Sequence, residues 1–211
     1  MNSRSRAQFP TSRQDRKAAL EAEIVACAID LFRTKGLERT TMEAIAESAG
    51  VTKRTLYLHF PSKESIASAY FRAGLRSKVA TLPRLLERHT TTEARIDAVF
   101  QDAAEGLERQ PDLALAHFSH QFAQLCRMLR KPLPLRDDFT TFLAAVLNAG
   151  QSRGEVRRDV AASELAAYLM MQFTAACLAW FADADAETLR ARLRRARVMF
   201  FDGVGSSRER P

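Results

Sequence analysis

The chain has 211 residues and a formal net charge of +7, and its isoelectric point lies near 9.8. Because 46% of the residues are hydrophobic and only 8 are glycine and 7 proline, the composition argues against a disordered chain and favours helices. The positive charge indicates a polyanionic partner. Charge alone does not distinguish nucleic acid from a membrane surface. The cysteines form no CxxC pair, so we expect free, buried thiols in a reducing compartment, at Cys27, Cys126 and Cys177.

The N-terminal residues are rich in arginine and serine but contain no apolar run, so we expect no secretory signal there. We predict a disordered basic arm over residues 1–14, with a transit peptide of similar composition as the alternative. The first helix follows, because apolar residues recur on one face until Gly36, which ends it. These apolar residues are Leu20, Ile24, Ala28, Leu31 and Phe32.

Two short helices joined by a tight turn are predicted next. The start of the second helix is capped either by Thr40, in a capping box with Glu43, or by Thr41. Gly50 suits the left-handed turn that follows, and Thr52 caps a third short helix. The apolar residues of the second helix recur at i, i+3, i+4 and i+7, namely Met42, Ile45, Ala46 and Ala49.

The third helix, residues 53–60, has two kinds of surface when its residues are placed about 100° apart. Leu56 and Phe60 share one face and are predicted to enter the core. The other side chains form a cationic, hydroxylated and aromatic surface without a carboxylate, made of Lys53, Arg54, Thr55, Tyr57, Leu58 and His59. Such a surface suits the major groove, whereas an ordinary solvated face is the alternative. The pattern therefore predicts a DNA-binding helix-turn-helix.

Helical spacing continues to the C-terminus and no stretch alternates with period two, so we predict an all-α fold. A fourth helix starts after Pro61, with Ser62 as its N-cap. The stretch 165–182 has no charge over a length that could span a membrane, but its polar residues and many alanines favour a helix buried in protein. Five longer helices are predicted in this region, at 83–109, 112–130, 134–152, 163–182 and 186–201.

The segment TTMEAIAESAGVTKRTLYLHFPSKESI, residues 40–66, resembles the N-terminal DNA-binding region of the TetR family of bacterial transcriptional regulators. The paired threonines, the IAESAGV core, the TLYLHF helix and the SKE restart all lie at the family's spacing. The resemblance implies a three-helix helix-turn-helix domain over 15–62, a larger helical ligand-binding and dimerisation domain over 63–203, and a flexible tail over 204–211. It also implies a cytoplasmic homodimer that binds a palindromic operator in double-stranded DNA and is released by a small lipophilic or aromatic effector, with no cofactor and no membrane.

The resemblance further implies roles for individual residues of the third helix and its neighbours. Arg54 departs from the family pattern, in which a small residue, often glycine, is common. Its guanidinium could read a guanine through two hydrogen bonds or clamp a phosphate, and both alternatives stay open. Leu58 would meet a thymine methyl group or a sugar, and Thr55 completes the predicted DNA-binding set. Contacts to phosphate or sugar are implied for Thr41, Tyr57, His59 and Lys63, and the recognition helix would start with Thr52, Lys53 and Arg54.

The basic arm is a further candidate for DNA contact. It would reach along the duplex or only aid solubility. Its cations are Arg4, Arg6, Arg13, Arg16 and Lys17.

Candidate effector contacts come from large or polar side chains on the otherwise apolar C-terminal helices. Methionine and phenylalanine around a few polar groups suit a lipophilic or aromatic compound, although a plain core role is the alternative for each single residue. His117 and His120 share a helix face, but no further donor stands at metal-ligand spacing, so we predict no metal site. The candidate ligand-binding residues are Phe118, Gln121, Phe122, Leu125, Phe139, Phe142, Leu143, Tyr168, Met171 and Gln172.

The last two predicted helices carry more apolar surface than one monomer readily hides, which predicts a four-helix bundle with a second copy. A two-fold axis would place two recognition helices on a palindromic site. The sequence contains no catalytic or nucleotide-binding motif, so we predict no enzyme; a helical enzyme with an apolar pocket and a ligand-independent DNA-binding activator are the alternatives. The predicted dimer-interface residues are Phe173, Cys177, Trp180, Phe181, Leu189, Leu193, Phe200 and Phe201.

Overall fold

A computed structural model describes residues 12–79, 82–128 and 138–204, which form ten α-helices and no β-strand. The predicted all-α fold is thereby confirmed. The chain divides into two compact units, Met1–Tyr70 and Phe71–Pro211, called the head and the helical body below. The predicted domain boundary after residue 62 stays a prediction.

The head contains α1 (Arg13–Lys35), α2 (Met42–Ser48), α3 (Lys53–His59) and the first part of α4 (Lys63–Val79). The first helix begins earlier than predicted, because Ser12 and Asp15 form a reciprocal capping box. The predicted disordered arm therefore loses its last residues to α1, and its residues 1–11 lie outside the described part.

The apolar faces of α1, α2 and α3 form the core of the head. The predicted inward residues of α1 and α2 are confirmed at Ile24, Ala28 and Phe32 and at Met42, Ile45 and Ala46, all of which are buried. The turn after α1 is formed by Gly36, whose φ of 83° lies in the region that favours glycine. Because α2 and α3 have only 7 residues each, this shared core rather than helix propensity stabilises them.

The helical body contains the rest of α4 and then six helices. The predicted single helix over 83–109 is wrong, because one helix ends at Arg88 and a new helix starts at Thr92. The side chain of Thr91 accepts a hydrogen bond from the Ala94 amide at 3.2 Å and caps this new helix. The buried Arg95 donates to the Leu86 carbonyl at 2.6 Å across the break. The six helices are α5 (Leu82–Arg88), α6 (Thr92–Glu108), α7 (Pro111–Met128), α8 (Asp138–Ser152), α9 (Ala162–Ala182) and α10 (Leu189–Val204).

The core of the helical body is formed by α6, α8, α9 and α10. Phe100 of α6 is fully buried, and its ring lies 5.3 Å from that of Phe173 on α9. The helices α6 and α8 approach closely at Gly150, where an added Cβ would collide with the Thr92 side chain. Only glycine permits this approach, so the two helix backbones define the shape of the core at this point.

Among the described residues, α9 is the one helix long and apolar enough to cross a membrane by length and composition. Six of its side chains are buried against neighbouring helices of the same unit. A core helix of a soluble protein passes the same test, so this composition is weak evidence for a membrane span.

The three thiols have different environments. Cys177 is buried in the core, and this burial raises the pKa of its thiol above the usual range. Cys27 is half-buried and Cys126 is exposed, so the expectation of buried thiols fails for Cys126.

Candidate nucleic-acid interface

The helices α2 and α3 are joined by a tight turn whose backbone geometry depends on a few local residues. Thr41 is the N-cap of α2, since its side chain accepts a hydrogen bond from the Ala44 amide at 3.1 Å. Thr40 is instead buried and donates its hydroxyl hydrogen to the Gly36 carbonyl at 2.8 Å. Gly50 has a φ of 64°, as the predicted left-handed turn requires. The pair α2–α3 is therefore a helix-turn-helix.

The recognition helix α3 has one inward face and one outward face, as its sequence predicts. Leu56 is fully buried and Phe60 is 5% exposed. On the opposite face Leu58 is 83% exposed and Tyr57 is 48% exposed. Arg54 is also exposed, and no ion pair joins it to another residue of the described chain. Because Leu58 contributes almost nothing to the core, its apolar surface is available for a base or sugar.

The first turn of α3 is stabilised by a pair of threonines. The Thr52 hydroxyl oxygen accepts a hydrogen bond from the Thr55 amide at 3.1 Å, and the two hydroxyl groups lie 2.9 Å apart. This confirms Thr52 as the N-cap of the helix. The hydroxyl group of Thr52 is therefore partly used within the protein, while its exposed side chain lies beside Lys53 at the start of the helix.

Lys53 is exposed and forms an ion pair with a residue of another helix. Its ammonium group lies 3.1 Å from the carboxylate of Glu43, which belongs to the first turn of α2. A backbone hydrogen bond and, next, the hydrogen bond and charge of Lys53 lower the pKa of the Glu43 carboxyl. The recognition helix itself has no carboxylate, as predicted, but the tertiary structure supplies one from the neighbouring helix.

His59 lies at the end of α3 and is anchored to α1. Its Nδ1 atom is 3.0 Å from the carboxylate of Glu21, and its side chain is only 11% exposed. Glu21 also pairs with Lys17 at 3.7 Å. Glu21 was not predicted, because the contact joins residues 38 positions apart and nothing in the local pattern indicates it.

Lys63 at the start of α4 contacts the head's own backbone. Its ammonium group donates to the carbonyl of Leu37 at 2.7 Å and to that of Glu38 at 3.3 Å. Two of its three N–H groups are therefore used in the loop after α1. The phosphate contacts predicted for His59 and Lys63 stay predictions. Within the head, His59 connects α3 to α1, and Lys63 connects the start of α4 to the loop after α1.

The predicted basic arm is only partly described. Arg13, Arg16 and Lys17 belong to α1 and are exposed. Arg4 and Arg6 lie outside the described residues.

The predicted effector residues differ in their exposure within the helical body. Phe122, Tyr168 and Met171 are more than half exposed. Phe142 and Leu143 are buried in the core. The remaining members are half-buried, except that the side chain of Leu125 lies outside the described residues; they are Phe118, Gln121, Phe139 and Gln172. All of them stay predictions, and their different exposures show that helix spacing does not say which face packs against a neighbour.

The helical body contains buried polar atoms that have no hydrogen-bond partner. His117 of α7 packs against Phe71 and Phe118, with ring centroids 5.2 and 5.5 Å apart, and its Nδ1 atom has no partner. Burial, and then the charges of Arg72 and His120, lower the pKa of His117 to about 4, so this ring is neutral at pH 7. Gln101 and Gln172 each contain a further unpaired buried atom. No group of three or more potential metal ligands occurs among the residues described.

The predicted dimer residues lie mostly inside the protomer, and their role at an interface stays a prediction. Six of the eight are buried in the protomer's own core, and only Phe181 and Phe201 are half-buried. The exposed large apolar side chains of α9 and α10 are instead Tyr168, Met171, Leu178, Val198 and Met199. A shallow groove of about 240 Å³ lies between these helices. It is lined by Gln172, Ala175, Ala176, Ala179, Arg192, Arg195, Ala196 and Met199.

Comparison with known proteins links the head to a family. Residues 24–70 match the family model described as bacterial regulatory proteins of the tetR family. The chain is 24% identical over 192 residues to the HTH-type transcriptional repressor KstR2 of Rhodococcus jostii (strain RHA1), and the match covers 90% of this chain and 93% of that protein.

Solved structures resemble the fold over most of its length. FadR of Thermus thermophilus, a TetR-family repressor crystallised with lauroyl-CoA, superposes with a TM-score of 0.72 at 25% identity, covering 90% of this chain and 97% of that one. FadR of Bacillus subtilis, crystallised with stearoyl-CoA, superposes with a TM-score of 0.60 at 17% identity, covering 86% and 98%. At this lower identity the likeness concerns the fold alone.

Proposed function

Because this chain belongs to the TetR family of bacterial transcriptional regulators, we propose that it is a cytoplasmic repressor that binds a palindromic operator as a homodimer and leaves it when an effector binds. Its relatives and its structural neighbours are regulators, so the chain is not an enzyme. The repressors among them favour repression over the ligand-independent activator that the sequence left open.

One observation carries the DNA-binding proposal. The helix α3 is anchored through Leu56 and presents the exposed Arg54 and Leu58 on its opposite face. Positive and apolar groups presented together suit the major groove, where Arg54 would donate to a guanine or a phosphate and Leu58 would contact a thymine methyl group. Thr41, Thr52, Thr55 and Tyr57 would contact the duplex around them.

The homodimer follows from the small size of the recognition helix. A single α3 of 7 residues contacts too few base pairs for useful specificity. The helices α9 and α10 offer exposed apolar surface, with Met199 in the groove and Leu178 outside it, that a second copy would cover. The proposed contact surface therefore consists of these exposed residues rather than of the buried ones predicted from sequence.

For the effector we propose a lipophilic acyl compound of the acyl-CoA class. The two FadR neighbours were crystallised with such ligands. Within the helical body, Gln101, His117 and Gln172 each have a buried polar atom without a hydrogen-bond partner. Nε2 of Gln101 would donate to a ligand carbonyl, Oε1 of Gln172 would accept from a hydroxyl or amide group, and Nδ1 of His117 would do either according to its tautomer. We place the polar contact at His117, because its neutral ring lies among aromatic side chains.

The DNA-binding proposal is tested by selecting duplexes from a random pool with the full-length protein at a stated salt concentration. We expect one enriched palindrome whose half-sites are about one helical turn apart. An enriched sequence without symmetry would contradict the homodimer, and the absence of enrichment would contradict operator binding.

The effector proposal is tested by titrating lauroyl-CoA into the operator complex, with free coenzyme A and lauric acid as controls. We expect lauroyl-CoA to release the protein from the operator and neither control compound to do so. His117→Phe keeps an aromatic ring but removes the polar atoms, so release should need roughly two- to tenfold more ligand. His120→Phe, the same change one turn away on α7, is the matched control and should behave like the wild type. Equal sensitivity of both variants would rule out His117 as the polar contact.

A further inference from the structure

We infer that the Glu43 carboxylate competes with a DNA phosphate for the ammonium group of Lys53, and that it thereby lowers the affinity of the head for any duplex. This inference rests on the proposed DNA-binding function. The carboxylate lies 3.1 Å from the Lys53 ammonium group, and the two side chains are 50% and 64% exposed. The pair is therefore formed at the surface, where a duplex would have to meet it.

Geometry and charge make the competition direct. Lys53 is the first residue of α3, and Glu43 extends from the first turn of α2 to reach it. A carboxylate and a phosphate oxygen offer an ammonium group the same kind of charged acceptor. For Lys53 to bind a phosphate, either its contact with Glu43 must be given up or the carboxylate must remain beside the incoming phosphate as a like charge. Both alternatives weaken binding.

The basic side chains of α3 differ in their acidic partners. His59 is pinned by Glu21 and is mostly buried, so its contact belongs to the packing of α3 against α1. Arg54 is exposed and makes no ion pair with another residue that the structure describes. Within this helix, Lys53 alone combines exposure with an exposed acidic partner. Its contribution to binding is therefore adjustable by one residue outside the recognition helix.

The competition acts on affinity and leaves sequence preference unchanged. The phosphate contact of Lys53 is the same on every duplex, because phosphates carry no base identity. The cost of displacing Glu43 is therefore also the same for operator and non-operator DNA. In a chain with a net charge of +7, such a device limits sequence-independent binding to the rest of the genome.

The opposite role for Glu43 is a positioning one, in which it orients Lys53 toward the duplex. The two roles predict opposite signs. If Glu43 competes, its removal strengthens DNA binding. If Glu43 positions Lys53, its removal weakens DNA binding. The sign of one measured change thus decides between them.

The test uses the full-length Glu43→Gln protein and fluorescence anisotropy with operator and non-operator duplexes. We expect affinity for both to rise by roughly fivefold per head, which is the upper range for breaking an exposed ion pair. The dependence of affinity on salt should become steeper by up to about 0.9 per head, as expected for one additional neutralised phosphate.

Matched variants isolate the contact. Glu47→Gln removes the same charge from an exposed position one turn later on α2 and should change affinity much less. In a Lys53→Met background, Glu43→Gln should have no further effect beyond that of Glu47→Gln. Equal helical content of all variants by circular dichroism confirms that the head is folded.

Unchanged or weaker DNA binding by Glu43→Gln, or equal effects of Glu43→Gln and Glu47→Gln, would overturn the inference while leaving the proposed function intact. If the unmodified protein binds no duplex at all, the proposed function fails, and the inference fails with it.

Discussion

The head and the helical body differ in how far apart their defining contacts lie in the sequence. In the head, Thr52 caps the recognition helix by accepting a hydrogen bond from the amide of Thr55, three residues later. Gly50 forms the turn just before this helix. In the helical body, Phe100 packs against Phe173, and Thr92 contacts Gly150. The start of the recognition helix and the turn before it are thus specified by short-range rules, although the shared core of the head stabilises the helix, whereas the body depends on which faces of long helices meet.

This difference also separates the kinds of residue that carry function. In the head, the side chains proposed to contact DNA are those that the small core leaves outside, such as Arg54 and Leu58. In the body, the candidate functional atoms are the unpaired polar ones inside, such as Nδ1 of His117. A reading surface can therefore be recognised from a helical wheel, while an interior site requires the packing to be known.

The largest expected effect tests the long-range core of the body. Phe100→Ala should lower the free energy of unfolding by about 3–5 kcal/mol, because it removes a fully buried ring and leaves a cavity. Denaturant unfolding followed by the fluorescence of Trp180, the only tryptophan, reports on this unit. Phe122→Ala is the matched control at an exposed position and should change stability by less than about 0.5 kcal/mol. Similar losses in both variants would contradict the described core.

A smaller effect is expected from reversing charge in the head. Lys53→Glu combined with Arg54→Glu should reduce affinity for the operator by roughly a hundredfold or more, because two attractive contacts to the duplex become repulsive in each head. The measurement is anisotropy at fixed salt. Arg190→Glu combined with Arg194→Glu makes the same change in net charge at exposed positions of α10 and should have little effect. Equal losses would mean that only the total charge of the protein matters.

The smallest effect tests the local rule that starts α3. Thr52→Ala removes the side-chain acceptor for the Thr55 amide and should cost about 1 kcal/mol of stability. Thermal unfolding by circular dichroism measures it. Thr52→Ser keeps the hydroxyl group and should melt like the wild type. If serine melts as early as alanine, the lost methyl group rather than the cap explains the change.

Several features of the head followed from the sequence alone. The inward positions of Leu56 and Phe60, the cap at Thr52 and the turn at Gly50 were all predicted and are confirmed. Each depends on helical periodicity or on the backbone preference of a residue within a few positions. The family resemblance lies in the same segment and is confirmed by the match over residues 24–70.

Other features were decided only by tertiary structure. The contacts of Glu21 with His59 and of Glu43 with Lys53 join residues on different helices. The division of the last helices into buried and exposed faces is also a tertiary feature, and the apolar residues near Trp180 enter the protomer's own core. Helical spacing states that a face is apolar, but not whether α6, α8 or a second copy of the chain covers it.

The break before α6 shows the boundary between the two kinds of information. A run of threonines at 90–92 precedes Glu93, a local pattern typical of a helix start, yet the apolar spacing on both sides favoured one continuous helix. The chain therefore determined by itself where helices can begin, which residues are apolar and what the recognition helix presents. Packing determined which apolar faces are buried and which distant charges meet, because burial free energy depends on neighbours that one-dimensional spacing does not identify.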